Sequence, residues 1–135
     1  MCIRDSIYSM LIGAGEGANT SSSIFAQSIN EMIYLTKFLK GKKETVYGLA
    51  GIGDLYVSAV GGRNSKMGEF LGKGFTFKNA KKKFMLKDTI EGAELVFEVG
   101  KQILKKVNNK KIPLMVDLIK CILNNKKLNI RWQIK

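Results

Sequence analysis

"GLAGIGDLYVSAVGGRN", residues 48–64, decides between two folds. Five of its seventeen residues are glycine, and Asp54 and Arg63 are its only charges. A dinucleotide-binding turn needs G-x-G-x-x-G between a strand and a helix. Here the order is G-x-x-G-x-G, and a short helix from Glu44 to about Ala50 leads into it. "LYVSAV" (55–60) is strand-like, but no other segment alternates in period two, and one strand cannot form a sheet. The class is therefore all-α, with six to eight helices in one domain. Gly48 and Gly51 suit close helix packing. Asp54 stands among apolar residues, where an unpaired carboxylate is costly to bury. Gly61-Gly62 before Arg63-Asn64 suits close approach to an anion, which a guanidinium holds bidentately. The residues alone leave packing and ligand binding both open.

The rest of the chain reads as helices outward from this stretch. Residues 7–15 are helical. Asn19 or Thr20 is placed to N-cap the next helix, with Ile24, Ile29, Met32, Ile33, Leu35, Phe38 and Leu39 as its apolar stripe and Gly41 as its end. Residues 66–71 form a short helix closed by Gly72 and Gly74, and 77–84 a basic helical turn or two. Asp88-Thr89-Ile90-Glu91 has capping-box spacing and opens a long helix reaching Val107. Its apolar side, Ile90, Ala93, Val96, Phe97, Gly100, Ile103, Leu104 and Val107, predicts Phe97 and Ile103 buried, with Lys105 and Lys106 exposed. Pro113 sits in the first turn of a last helix that Asn124-Asn125 stops.

Composition narrows the function. Lys+Arg number 23 against 11 acids, a net charge of +12 over 135 residues. Only Arg4, Arg63 and Arg131 are arginine, whereas base-reading and phosphate-clamping surfaces lean on arginine. A nucleic-acid module is thus a minor alternative, and no nucleic-acid partner is expected. There is no histidine, and Cys2 and Cys121 lack ligand spacing, so no metal site is expected. A reducing compartment fits the cysteine usage. The longest apolar run, 7–15, is too short to span a bilayer, and no membrane partner is expected. Met1–Ser6 has no pattern joining it to the helix at 7–15 and reads as a non-native leader.

Residues 44–74, "ETVYGLAGIGDLYVSAVGGRNSKMGEFLGKG", closely resemble the C-terminal domain of the NAD(P)-dependent glycerol-3-phosphate dehydrogenase family, with its G-L-A-G-L-G-D-L, S-R-N and L-G-x-G motifs. "INEMIYLTKFLKG" before it is similar to the family's G-x-x-E-M-x-x-L helix. "TIEGAELVFEVGKQILKKV" is similar to its V-V-E-G helix, and "KIPLMVDLIKCIL" to its last one. The resemblance implies an all-α multi-helical domain over 7–135, of the 6-phosphogluconate dehydrogenase C-terminal-like type. It implies interconversion of sn-glycerol 3-phosphate and dihydroxyacetone phosphate with NAD or NADP, in the cytoplasm, feeding glycerophospholipid synthesis. Asp54, Ser58, Arg63 and Asn64 match substrate-site positions, and Arg63, Thr89 and Glu91 match positions near the cofactor. Gly62 stands where the family's motif has serine, and the loop from Asp54 is shorter.

The family's Rossmann domain has no counterpart here, and its catalytic lysine aligns near Asp5, within the leader. The resemblance therefore implies a fragment, inactive alone, whose partners are the substrate, the absent Rossmann domain and, in a homodimer, a second copy. The alternative within the class is the substrate domain of another β-hydroxyacid-type dehydrogenase.

Overall fold

The computed structural model describes residues 3–15 and 17–130. Among these it contains eight α-helices and no strand. They are α1 (Ile3–Gly13), α2 (Gly17–Phe38), α3 (Glu44–Tyr47), α4 (Asp54–Gly61), α5 (Arg63–Gly72), α6 (Phe77–Phe84), α7 (Glu91–Lys106) and α8 (Pro113–Leu123). A π-helical turn, Leu49–Gly53, joins α3 to α4.

α1 is the axis. Ile7, Tyr8, Met10 and Leu11 are completely buried, as are the polar Asp5 and Ser9, so α1 is enclosed by the bundle on more than one face. α2, α4, α5, α7 and α8 all pack on it. The tightest of these contacts is with α5. A Cβ added at Gly68 would overlap the Met10 carbonyl oxygen, one at Gly72 that of Ala14, and one at Gly13 that of Ser65. Glycine at these positions lets two backbones touch, as no residue with a Cβ does.

Three helix N-termini have backbone donors satisfied from elsewhere in the chain. The Glu31 carboxylate, fully buried on α2, accepts from Leu114 N (3.0 Å) and Met115 N (3.2 Å) in the first turn of α8. Tyr8 Oη donates to it at 2.9 Å and Gln27 Nε2 at 3.0 Å. Asn64 on α5 accepts from Gly92 N of α7 at 2.9 Å. Asn125 accepts from Lys78 N of α6 at 3.1 Å, beside the local cap from Thr76 to Asn79 N. Unpaired N–H groups at a buried helix end are costly, so the buried bonds to Glu31 and Asn64 tie helices together, while the Asn125 bond is exposed. Burial pushes the Glu31 pKa up from its ordinary value, against the lowering effect of the bonds from Gln27, Leu114, Met115 and Tyr8.

α6 and α8 run as the sequence predicts, and other elements differ. α1 begins at Ile3 rather than at residue 7, so its helix runs back through Asp5 and Ser6, both buried. Met1 and Cys2 lie outside the described residues. α2 begins at Gly17, placing Asn19 and Thr20 inside its first turn rather than at the cap. Lys40 (φ 63°) takes the left-handed position after α2, and Gly41 N closes the end on Thr36 O at 2.7 Å. α5 starts at Arg63, three residues earlier than read from spacing. α7 starts at Glu91, with Ile90 at the N-cap and no side-chain capping bond from Asp88, because Asn64 supplies an acceptor instead. Gly51 is needed, since a Cβ there would overlap the Val46 carbonyl oxygen; Gly48 meets only an ordinary contact at 3.8 Å.

Phe97 contradicts the assigned helix phase: it is 54% exposed. Ala93, Val96 and Gly100 of the expected side do face the core, with Gly92 beside them. Phe97 turns aside onto the Phe77 ring, edge-on with centroids 5.9 Å apart. Ile103 is partly buried against the core, and Lys105 and Lys106 are exposed as expected.

Gly68→Ala is expected to lower stability by about 1–3 kcal/mol, because the added methyl meets backbone. Gly61→Ala, whose Cβ would meet nothing within 4 Å, is expected to raise it by about 0.4–1 kcal/mol. Urea unfolding of both variants checks the pair, and equal effects would refute the close contact.

A second expectation concerns pH. A folded-state pKa raised above the unfolded value gives stability that is present at low pH and lost as pH rises through the folded value. Relative to Glu31→Gln, the wild type should therefore gain stability as pH falls from neutral toward the ordinary carboxyl value. A stability difference that stays flat with pH would show that Glu31 does not titrate in this way.

Candidate functional site

The glycine-rich stretch folds into a π-turn and α4, then turns at Gly62 into α5. Gly62 is extended (φ −91°, ψ 170°), and its N–H reaches Ser58 O at 3.3 Å. A Cβ there would sit 3.1 Å from that oxygen, so the serine of the family motif would need a small shift of this turn. Ser65 Oγ donates to Ala59 O at 2.8 Å and holds α5 against α4. The turn thereby presents Arg63 and Asn64 as the first residues of α5.

Three of the candidate residues meet. Arg63 Nη2 lies 3.5 Å from Glu91 Oε1, at the start of α7. Next to this pair Asn64, nearly buried, accepts from Gly92 N. Because Gly92 N–H requires an acceptor, the Asn64 carbonyl oxygen faces it, and the amide NH₂ points the other way. A Cβ on Gly92 would stand 2.9 Å from Ser6 O and 3.1 Å from Asn64 Oδ1. The early part of α1 and the starts of α5 and α7 thus converge on Gly92. Gly92 was not singled out from spacing; its position directly after Glu91 in "IEGA" was the available signal.

The remaining candidates are placed differently. Thr89 is exposed just ahead of α7. Asp54 is exposed in the first turn of α4, and Ser58, one turn on, is buried. α4 has 8 residues, about 12 Å of helix, so Asp54 and Arg63 lie toward opposite ends of it. No ion pair joins them among the described residues. The carboxylate and guanidinium that are close in sequence are therefore not partners; Glu91, 28 positions on, is. A cleft of about 570 Å³ on another side of α4, bordered by Phe25, Tyr56, Val60 and Glu69, contains none of these site residues.

The Arg63–Glu91 pair is half exposed, 55% and 46%, and such pairs contribute about 0–1 kcal/mol. An incoming anion can therefore take Glu91's place at the guanidinium at small cost. Helix N-termini add donors and positive potential to such a point. No group of His, Cys, Asp and Glu suited to a metal occurs among the described residues. Cys121, away on α8, is free, and burial pushes its thiol up to about 11, which keeps it protonated near neutral pH. No described helix is long and apolar enough to cross a membrane.

The chain belongs to the family described as NAD-dependent glycerol-3-phosphate dehydrogenase C-terminus, whose model matches residues 7–132. It is similar to the NADP(+)-dependent glycerol-3-phosphate dehydrogenase of Archaeoglobus fulgidus, 45% identical over 65 residues, 48% of this chain and 19% of that protein. It is 32% identical over 97 residues to the glycerol-3-phosphate dehydrogenase [NAD(P)+] of Clostridium botulinum, 70% of this chain and 29% of that one. The crystal structure of glycerol-3-phosphate dehydrogenase from Coxiella burnetii superposes with a TM-score of 0.79 at 25% identity, over 93% of this chain and 39% of that one. The chain thus spans well under half the length of these relatives. Membership in this family selects the first of the readings made from sequence over its alternatives.

Asn64→Ala leaves the buried Gly92 N–H without its acceptor and is expected to cost about 1–3 kcal/mol. Arg63→Ala is expected to cost less than about 1 kcal/mol. Denaturant melts distinguish the two, and the reverse ranking would refute the capping role of Asn64.

Proposed function

We propose that the chain is the substrate-side domain of an oxidoreductase that interconverts sn-glycerol 3-phosphate and dihydroxyacetone phosphate with NAD or NADP. The observation that carries this reading is the convergence of Arg63, Asn64 and Glu91 at Gly92, where a permanent cation stands beside helix N-termini. Arg63 binds the phosphate end of the substrate bidentately, releasing Glu91. The Asn64 amide, held by Gly92, donates to a substrate oxygen. Asp54 and Ser58, one turn apart on α4, orient the hydroxyl-bearing end.

The cofactor supplies and accepts the hydride when bound, with Arg63, Thr89 and Glu91 forming this domain's edge of its site. With no strand among the described residues, the dinucleotide fold itself comes from a linked Rossmann domain. The proton on the reacting oxygen needs a general acid–base group of the lysine type. Asp5, fully buried in α1, stands near the position of the family's lysine and does not replace it. The complete enzyme works in the cytoplasm, supplies glycerophospholipid synthesis, and can pair as a homodimer.

The test joins the chain to a Rossmann domain ending in the family's L-K-N and follows NAD(P)H absorbance against dihydroxyacetone phosphate. The 135-residue chain alone is expected to give no turnover. In the joined protein, Arg63→Ala is expected to weaken substrate use by about 1.5–3 kcal/mol, seen mainly in KM. Asp54→Ala is expected to lower kcat. Wild-type kinetics in both variants would refute the site, and turnover by the chain alone would refute the need for a second domain.

A further inference from the structure

The opposite end of α7 borders a second cleft, of about 500 Å³, within the usual range for small-molecule sites. α7 has 16 residues, about 24 Å of helix, so this cleft is well separated from Glu91. Its walls come from the end of α2, the segment leading into α3, the last turns of α7 and the first turn of α8. Leu35, Val99, Ile103, Val107 and Met115 make it apolar. Phe38 and Leu39 also line it and remain 44% and 71% exposed.

Among the described residues, the only charged side chains lining the cleft are Lys42 and Lys106. Both are exposed, and neither has an ion pair or hydrogen bond among the described residues. Two helices end beside the cleft, and each C-terminus carries a partial negative charge of about one half. Two ammonium groups outweigh that, and no carboxylate of the described residues lines the cleft to neutralise them. The potential at the mouth is therefore positive over an apolar interior. A neutral apolar ligand would leave the charge unused, and a cation would be repelled. A single apolar chain ending in an anion satisfies both features.

We propose that this cleft binds a free single-chain carboxylate of the fatty-acid type, its tail against Val99, Ile103 and Met115 and its head between Lys42 and Lys106. Nothing in this assignment depends on the dehydrogenase reading. The test is calorimetric titration of the full 135-residue chain with sodium decanoate below its micellar concentration, near neutral pH. Decanol, decyltrimethylammonium and phosphatidylglycerol vesicles serve as comparison ligands. Saturable one-to-one binding of decanoate, tighter than either soluble comparison ligand and than the vesicles, supports the proposal. The double charge reversal Lys42→Glu with Lys106→Glu should weaken decanoate on the order of tenfold and remove its advantage over decanol. Both positions are exposed, so the variant should keep its helical circular dichroism. Val99→Trp, filling the cleft, should abolish binding.

Any of four results would overturn the assignment: no saturable decanoate binding, unchanged affinity after charge reversal, preference for the vesicles, or self-association that disappears in Leu39→Glu. The last would make a second copy the occupant. Loss of decanoate binding when the chain is joined to the Rossmann domain would overturn it too, making that domain the occupant.

Discussion

The contact between the backbones of α1 and α5 sets the geometry of everything else. Met10 and Ala14 present carbonyl oxygens to Gly68 and Gly72, and Ser65 presents one to Gly13. Helices normally pack 8–10 Å apart because side chains intervene. With glycine at these crossing points the two axes draw closer. α5 is thereby fixed in depth as well as direction, and its first residues are carried to the beginning of α7. Arg63 and Asn64 arrive beside Glu91 and Gly92 as a result of packing farther along α5.

The second constraint is the accounting of backbone donors. α7 and α8 begin without local side-chain caps, and the acceptors come from Asn64 and Glu31 on other helices. A local cap holds only its own helix, whereas these fix one helix against another. At the candidate site this gives Asn64 two duties. Its oxygen holds α7, and in the proposed function its amide, oriented by that bond, donates to the substrate. Arg63 and Glu91 are tied only by a half-exposed pair and remain free to exchange partners.

The class of fold was legible because the glycine order failed the dinucleotide pattern and no period-two segment stood beside it. α8 was legible because Pro113 and Asn124-Asn125 are local signals, and Asn125 does adopt the left-handed conformation (φ 48°). The phase of α7 was legible except at Phe97, since Ile90, Ala93, Val96, Gly100 and Val107 of its expected side are buried. Hydrophobicity ranks Phe97 above Gly92, Ala93 and Gly100, yet close packing selects the small residues for the buried face. The start of α7 was misjudged because the capping acceptor lies 28 positions away. Asp54 and Arg63, the only charges of the glycine-rich stretch, are separated by α4. That Arg63, Asn64 and Glu91 belong together came from family resemblance, since no local pattern encodes a meeting of two helix beginnings.

Glu31 has a consequence for how the chain acquires its structure. Its carboxylate joins residues 83 and 84 positions apart, so the bond forms only after nearly the whole domain has been brought together. Contacts of such high sequence separation slow folding, because loop-closure entropy is lost before they repay it. Until α8 docks, α2 carries a carboxylate that cannot be buried without its two backbone donors. Partly folded forms are therefore held open at this point, and the first and last thirds of the domain should form and melt as one cooperative unit.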